Sequence, residues 1–183
     1  NLAYLQESGP SVEVFDPVPG WPRDGVWAWG TPAGSADPHA GHTGTTIFGY
    51  NNTTTNDGDY PNSMPRRYLT TPDYDVSDAA SLQLRFWRLL GIESSSYDHA
   101  SVEVSTNGGV SWTVIWDHQG SSFTDPGWTE QTYDLSSVLP ASTLRVRWVM
   151  GATDTSVTYC GWNVDDVVLE GAVPCGALAE IFA

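Results

Sequence analysis

The sequence predicts an all-β fold, a sandwich of two antiparallel sheets with long N-terminal loops. Three observations carry this. Apolar and polar residues alternate with period 2 through several segments. Turn formers punctuate the 183-residue chain, which holds 18 Gly and 12 Pro. No segment keeps a 3.6-residue period through three turns.

Taken in order, Val12–Phe15 reads as the opening strand. Residues 17–74 then run through Gly, Pro, Thr, Asn and Asp, with Thr45–Tyr50 and Arg67–Thr71 as strands among them. Loops this long carry function, fix a cation or cover a sheet. Ser81–Leu89 sets Leu82, Leu84 and Phe86 against Gln83, Arg85 and Trp87. Ala100–Ser105 turns Ala100, Val102 and Val104 inward, and Thr106-Asn107-Gly108-Gly109 signals a hairpin. Ser111–Trp116 alternates Trp112, Val114 and Trp116 with Thr113 and Ile115. Asp134–Ser137 reads as a turn or one helical turn. Thr143–Met150 gathers Leu144, Val146, Trp148 and Met150 opposite Arg145 and Arg147. Trp162–Leu169, within a closing segment Gly161–Gly171, is the last strong strand; Leu178–Phe182 is a short helix or a tail strand. The length suits one domain over 1–183, with a core at 12–171 and extensions at 1–10 and 172–183.

Composition narrows the partners. Formal net charge is −15; all seven basic residues are Arg, and Lys is absent. A phosphate backbone needs a basic patch, so nucleic acid is not expected, and an anionic membrane surface repels this chain. Lacking Lys, the chain has no Schiff-base chemistry, no P-loop and no Lys–Asn crosslink. No apolar run approaches the roughly 18 residues of a membrane span. Cys160 and Cys175 flank the last strand and are expected to pair in an oxidising compartment, the alternative being two thiols in a cytosolic domain. The opening Asn1-Leu2-Ala3 suits a processed or excised form.

The ordered motifs resemble a known group. They are YLTTP at 68–72, LQLRFWRLL at 82–90, YDHASVEVS at 97–105, NGGVSWT at 107–113, Trp128 with YDLS at 133–136, LRVRW at 144–148, and GWNVDDV at 161–167. This series, covering about residues 12–171, resembles the MAM-like and concanavalin-like jelly-roll modules of secreted bacterial proteins. These are similar to cleaved-adhesin domains and to modules that accompany extracellular metalloproteases. The resemblance implies a two-sheet antiparallel jelly-roll β-sandwich, secretion or cell-surface display, and roles in adhesion, glycan binding or domain packing. The Gly- and Thr-rich stretch 17–60 and the tail after Gly171 depart from it.

Asp165 and Asp166 are adjacent on a strand, so one is expected to face inward, and a buried carboxylate needs a partner or a metal. Related jelly rolls keep a structural Ca²⁺ near this pair, and the resemblance implies the same here. Glu13, Asp16, Asp57, Asp59 and Asp98 are the further ligand candidates, Asn56-Asp57-Gly58-Asp59 having the oxygen density of a calcium loop without the full twelve-residue pattern. The alternative pairs one Asp with Arg and leaves the other solvated. His39 and His42 lack the helical spacing of a zinc protease and are expected to be solvated; His99 and His118 are expected to be structural or exposed. No G-x-S-x-G occurs, and the scattered Glu93, Glu103 and Glu130 give no glycosidase signal.

Arg85 and Trp87, with Arg145, Arg147 and Glu103, form a sugar-binding surface if their strands share a sheet. The alternative is a ladder of cross-strand ion pairs. Asn51-Asn52-Thr53-Thr54 holds two overlapping glycosylation sequons on an exposed polar loop. The expected function is therefore a noncatalytic extracellular recognition or adhesion module, Ca²⁺-stabilised, binding glycan or protein. The alternative is a structural subunit of a filament or surface assembly, a homo-oligomer joined by strand addition through its terminal segments. A glycan-active enzyme ranks third.

Overall fold

The computed structural model describes residues 11–15, 20–53 and 57–172. Twelve strands run through them: β1 (Ser11–Phe15), β2 (Trp27–Gly30), β3 (Ile47–Tyr50), β4 (Arg67–Thr70), β5 (Tyr74–Asp75), β6 (Ser81–Ile92), β7 (Ala100–Ser105), β8 (Thr113–Asp117), β9 (Phe123–Thr124), β10 (Thr129–Asp134), β11 (Thr143–Met150) and β12 (Gly161–Ala172). A single 3-10 turn occupies Ser136–Val138, where a turn was expected. The strands form two antiparallel sheets. The larger has the order β10-β6-β12-β3-β2, with β1 on β12 and β9 on β6; the smaller is β4-β11-β7-β8, with β5 on β11.

The alternating runs place the core. Along β6, Leu82, Leu84, Phe86 and Leu90 are buried while Gln83, Arg85 and Trp87 are only partly covered. Leu144, Val146 and Trp148 of β11 face them from the other sheet, with Trp148 meeting Phe86 edge-on at 5.2 Å. Trp21 stacks between Phe48 and Trp148, at 5.3 and 5.8 Å. The buried Trp162 indole N–H donates to the Val149 carbonyl at 2.9 Å, which removes the cost of desolvating it.

Three departures from the sequence reading matter. First, the strand expected at Ser111–Trp116 runs over Thr113–Asp117, and a register shift opposite Val102 and Glu103 divides it. Trp116 therefore faces the core and meets Trp162 at 5.5 Å, while Val114 lies opposite Glu103 and is 51% exposed. Second, Asp165 and Asp166 do not point to opposite faces. The β6–β12 register slips between Asp165 and Val168, and Asp166 takes a left-handed φ of 46°. This bulge adds one residue to the outward phase, so Trp162, Val164, Val167 and Leu169 join the core while both carboxylates meet the 41–43 loop outside it.

Third, β6 belongs to the larger sheet, whereas β7 and β11 belong to the smaller. Arg85 and Trp87 thus lie on one outer face, and Arg145, Arg147 and Glu103 on the other; they cannot form one surface. β10 was not anticipated, because this edge strand carries one apolar residue, Tyr133, among Thr, Glu, Gln and Asp. The terminal segments 1–10 and 173–183, with Cys175 and Leu178–Phe182, and also Asp16, lie outside the described residues.

Candidate recognition face and carboxylate clusters

The carboxylates expected to share one cation are distributed over separate places. Asp165, 1% exposed, accepts from the Thr43 backbone N–H at 3.2 Å, and the backbone N–H groups of Asp166 and His42 also favour its charge. Burial, then the Asp166 charge, still push its carboxyl up to about 6. Asp166 accepts from the Thr43 hydroxyl at 2.5 Å and contacts His42 Nδ1 at 2.6 Å. His42 is not solvated as expected. Its ring stacks on Trp87 at 3.7 Å, with the Trp128 ring edge-on at 6.4 Å. Both Asp166 oxygens and one Asp165 oxygen thus meet groups of the 41–43 loop.

Asp98 is elsewhere. Fully buried, it accepts from the Tyr60 hydroxyl at 2.6 Å and the Asp154 N–H at 2.9 Å. Among the described residues, Glu93, Asp98 and Asp154 form the one group of three whose carboxylate oxygens lie within 4.8 Å of each other. Asp57 and Asp59 act instead on the buried Asp37. Glu13 lies opposite Leu169 in the β1–β12 ladder.

Of the proposed ligand surface, Arg85 binds Glu170 at 2.6 Å and Glu130 at 3.5 Å, the ladder alternative. Arg145 forks onto Asp73 at 2.6 and 2.7 Å. On the outer face of the smaller sheet, Glu103 is 3% exposed and held by two guanidinium groups. Arg147 gives Nε and Nη2 to Oε2 at 2.7 and 2.5 Å; Arg66 takes Oε1, which also accepts from Ser101 at 3.1 Å. Arg147 is sandwiched between the Tyr68 and Trp112 rings, 4.4 and 3.9 Å from their centroids. Here the sequence reading is half right: Arg145, Arg147 and Glu103 do share a face. The aromatic partners Tyr68 and Trp112 were missed, since nothing local marks Trp112 as outward before the β8 register is known.

Beside this clamp a groove of about 470 Å³ runs along Arg66, His99, Ser101, Asp117, His118 and Gln119. Burial pulls His118 below the usual histidine range, so its neutral form presents one donor and one acceptor. Cys160 is buried, and as a thiol it is pushed by burial up to about 12; its expected partner Cys175 lies outside the described residues.

Bacillopeptidase F of Bacillus subtilis (strain 168) is 30% identical over 159 residues, which takes in 85% of this chain and 10% of that protein. The K1 cleaved adhesin domain of Lys-gingipain from Porphyromonas gingivalis W83 superposes with a TM-score of 0.54 at 20% identity, covering 91% of this chain and all of that one. The K3 domain matches at 19% identity and a TM-score of 0.46, covering 86% and 90%. The K1 likeness shows the shared β-sandwich. Residues 55–170, which take in β4 and run almost to the end of β12, match the model of Reelin subrepeat B, and the chain belongs to that family.

Proposed function

We propose that this chain is a noncatalytic extracellular recognition module that binds glycan through the outer face of its β4-β11-β7-β8 sheet. One observation carries the reading. A groove dense in hydrogen-bonding groups is lined by Arg66 and Glu103, and Glu103 is fixed by Arg147, itself set between Tyr68 and Trp112 on the same face. Hydroxyl-rich ligands need such pre-placed donors and acceptors, because binding is strongest where no ordering remains to be done. Glu103 supports the noncatalytic part. Both of its oxygens are engaged by guanidinium groups, which leaves neither turned toward a reacting atom. The extracellular placement rests on the resemblance to modules of secreted proteins.

The test is a glycan array, followed by calorimetry on the ligands found. Arg66→Ala and Trp112→Ala are each expected to weaken binding by tenfold or more while leaving the far-UV spectrum intact. A blank array, or binding that survives both substitutions, overturns this reading. Capture of an extracellular protein by the same face would replace glycan with a protein partner.

A further inference from the structure

Two guanidinium groups meet one carboxylate at the groove on the smaller sheet. Arg147 is fully committed there. Its Nε and Nη2 go to Glu103 Oε2, it lies between two rings, and its side chain is only 15% exposed. Arg66 is not. It reaches Glu103 Oε1 through Nη2 alone, and its side chain is 46% exposed. The Tyr68 ring, 5.8 Å from its guanidinium carbon, steadies the group. Among the described residues, no acceptor meets its Nε or Nη1. Whichever Nη2 proton Glu103 takes, one edge of the planar group, Nε with Nη2 or Nη1 with Nη2, keeps two parallel N–H donors.

The charges at this place do not balance. Arg147 and Glu103 close on each other as a neutral pair, so the Arg66 charge is left over at the groove. Asp117, the other acid in the lining, stands opposite Ser101 in the β7–β8 ladder, is exposed to water and accepts from the Gln119 amide. Among the described residues no ion pair joins it to Arg66. A free guanidinium edge matches the two oxygens of a carboxylate. The lining also holds the opposite need. His118 is 4% exposed, its Nε2 has no partner, and the Glu93 carbonyl draws the ring proton to the other nitrogen. A lone pair is left that calls for a donor such as a sugar hydroxyl.

We propose that the groove is a site for a carboxylated sugar, whose carboxylate pairs with the free edge of Arg66 and whose hydroxyls meet the other groups of the lining. This rests on the glycan reading of the same face and names its ligand class. The rest of the chain narrows the choice. A net charge of −15 repels polyanions at long range. Screening confines that field to about 8 Å at physiological salt, so one carboxylate in contact with Arg66 still gains. Uronic and sialic acids bring a single carboxylate per sugar, whereas a polysulfated chain brings many charges and is turned away.

Calorimetry on matched pairs tests it. One pair is a glucuronic-acid-terminated oligosaccharide and the same compound with its carboxyl reduced to the alcohol; the other is a sialylated oligosaccharide and its carboxyl-reduced form. In at least one pair the acid is expected to bind about tenfold tighter than its reduced form, and the pair that shows it identifies the sugar. Added NaCl should weaken the acid and not the reduced compound. Arg66→Gln is expected to bring the two forms to equal affinity. Arg66→Lys should keep part of the preference, because the charge stays and the fork goes. Arg147 still holds Glu103 in both variants, so a Tm near that of the wild type and residual binding of the reduced compound separate loss of the carboxylate contact from failure to fold. Equal affinity of the wild type for acid and reduced forms overturns the inference and leaves glycan binding standing. So does a preference that survives Arg66→Gln, or dextran sulfate binding tighter than either acid. A blank with every sugar, whether or not an acidic peptide binds, overturns both readings.

Discussion

Arg88 and Asp125 form an ion pair inside the sandwich, Nε 2.9 Å from Oδ2, with side-chain exposures of only 11% and 9%. Arg88 occupies the inward phase of β6, after Leu82, Leu84 and Phe86, and lies over the rings of Trp116 and Phe123 at 5.0 and 5.4 Å. Asp125 also accepts from the Leu90 N–H at 3.0 Å, tying the β9 region to β6. Removing one partner leaves the other charge buried, whereas removing both does not. Asp125→Ala is therefore expected to cost about 3–5 kcal/mol in urea unfolding. Arg88→Met with Asp125→Leu should cost much less than the sum of the single changes. Additive costs across the double-mutant cycle refute the coupling.

The Asp165 carboxyl makes a signed prediction about pH. Its folded pKa is raised from 3.8 to about 6. The folded chain thus holds that proton more tightly than the unfolded chain. The stability this gives is fully present below about 3.8 and is lost as pH rises through about 6. The limit for one such shift is about 3 kcal/mol. With chelator present, acidification from pH 7 to 5 should raise Tm more in the wild type than in Asp165→Asn. His118, lowered by burial, opposes the trend in both proteins, and Asp37 adds to it in both. Parallel Tm profiles for the two proteins would dispose of the idea.

Much of the fold was legible because apolar alternation is local. β7 and β11 begin and end where their side-chain pattern says, and β6 extends three residues past it. β10 was illegible because an edge strand needs few apolar residues. The bulge at Asp166 was illegible for a different reason: it depends on register against β6, some 80 residues away, and not on its own neighbours. Sheet membership has the same character, which is why Arg85 and Arg147 looked like one surface and are two. Arg88 falls on the Leu82–Phe86 phase, and a charge on an apolar phase calls for a buried partner. No comparable sign linked His42 to Asp166 or Trp87, since that contact exists only once the loop lies on the sheet.

Cys160 is expected to be silent toward a thiol reagent in the folded chain. Its 3% exposure and a pKa pushed up to about 12 leave almost no thiolate at pH 8. In Cys175→Ser, a chromogenic disulfide reagent should report no reactive thiol before denaturant and one after it. In the wild type under denaturant without reductant, two thiols mean the cysteines are reduced, and none means they were paired. Rapid reaction of native Cys175→Ser would show that the close packing of Gly91 against the sulfur opens readily.

Arg147 should not tolerate lysine. Its guanidinium does two things at once: it forks onto one Glu103 oxygen and lies flat between Tyr68 and Trp112. An ammonium keeps the charge but loses both the fork and the planar stack. Glu103, 3% exposed, would then rely on Arg66, which is half exposed and open to water. Arg147→Lys is accordingly expected to cost about 2 kcal/mol in unfolding free energy, between the value of one desolvated cation–π contact and that of a fully broken buried pair. In a Glu103→Gln background the same change should cost about half as much, because the charge it strands is gone and only the stack is lost. A Lys variant as stable as the wild type in both backgrounds would mean that the clamp contributes packing alone. The fixed Glu103 carboxylate assigned to the groove would then lose its physical basis.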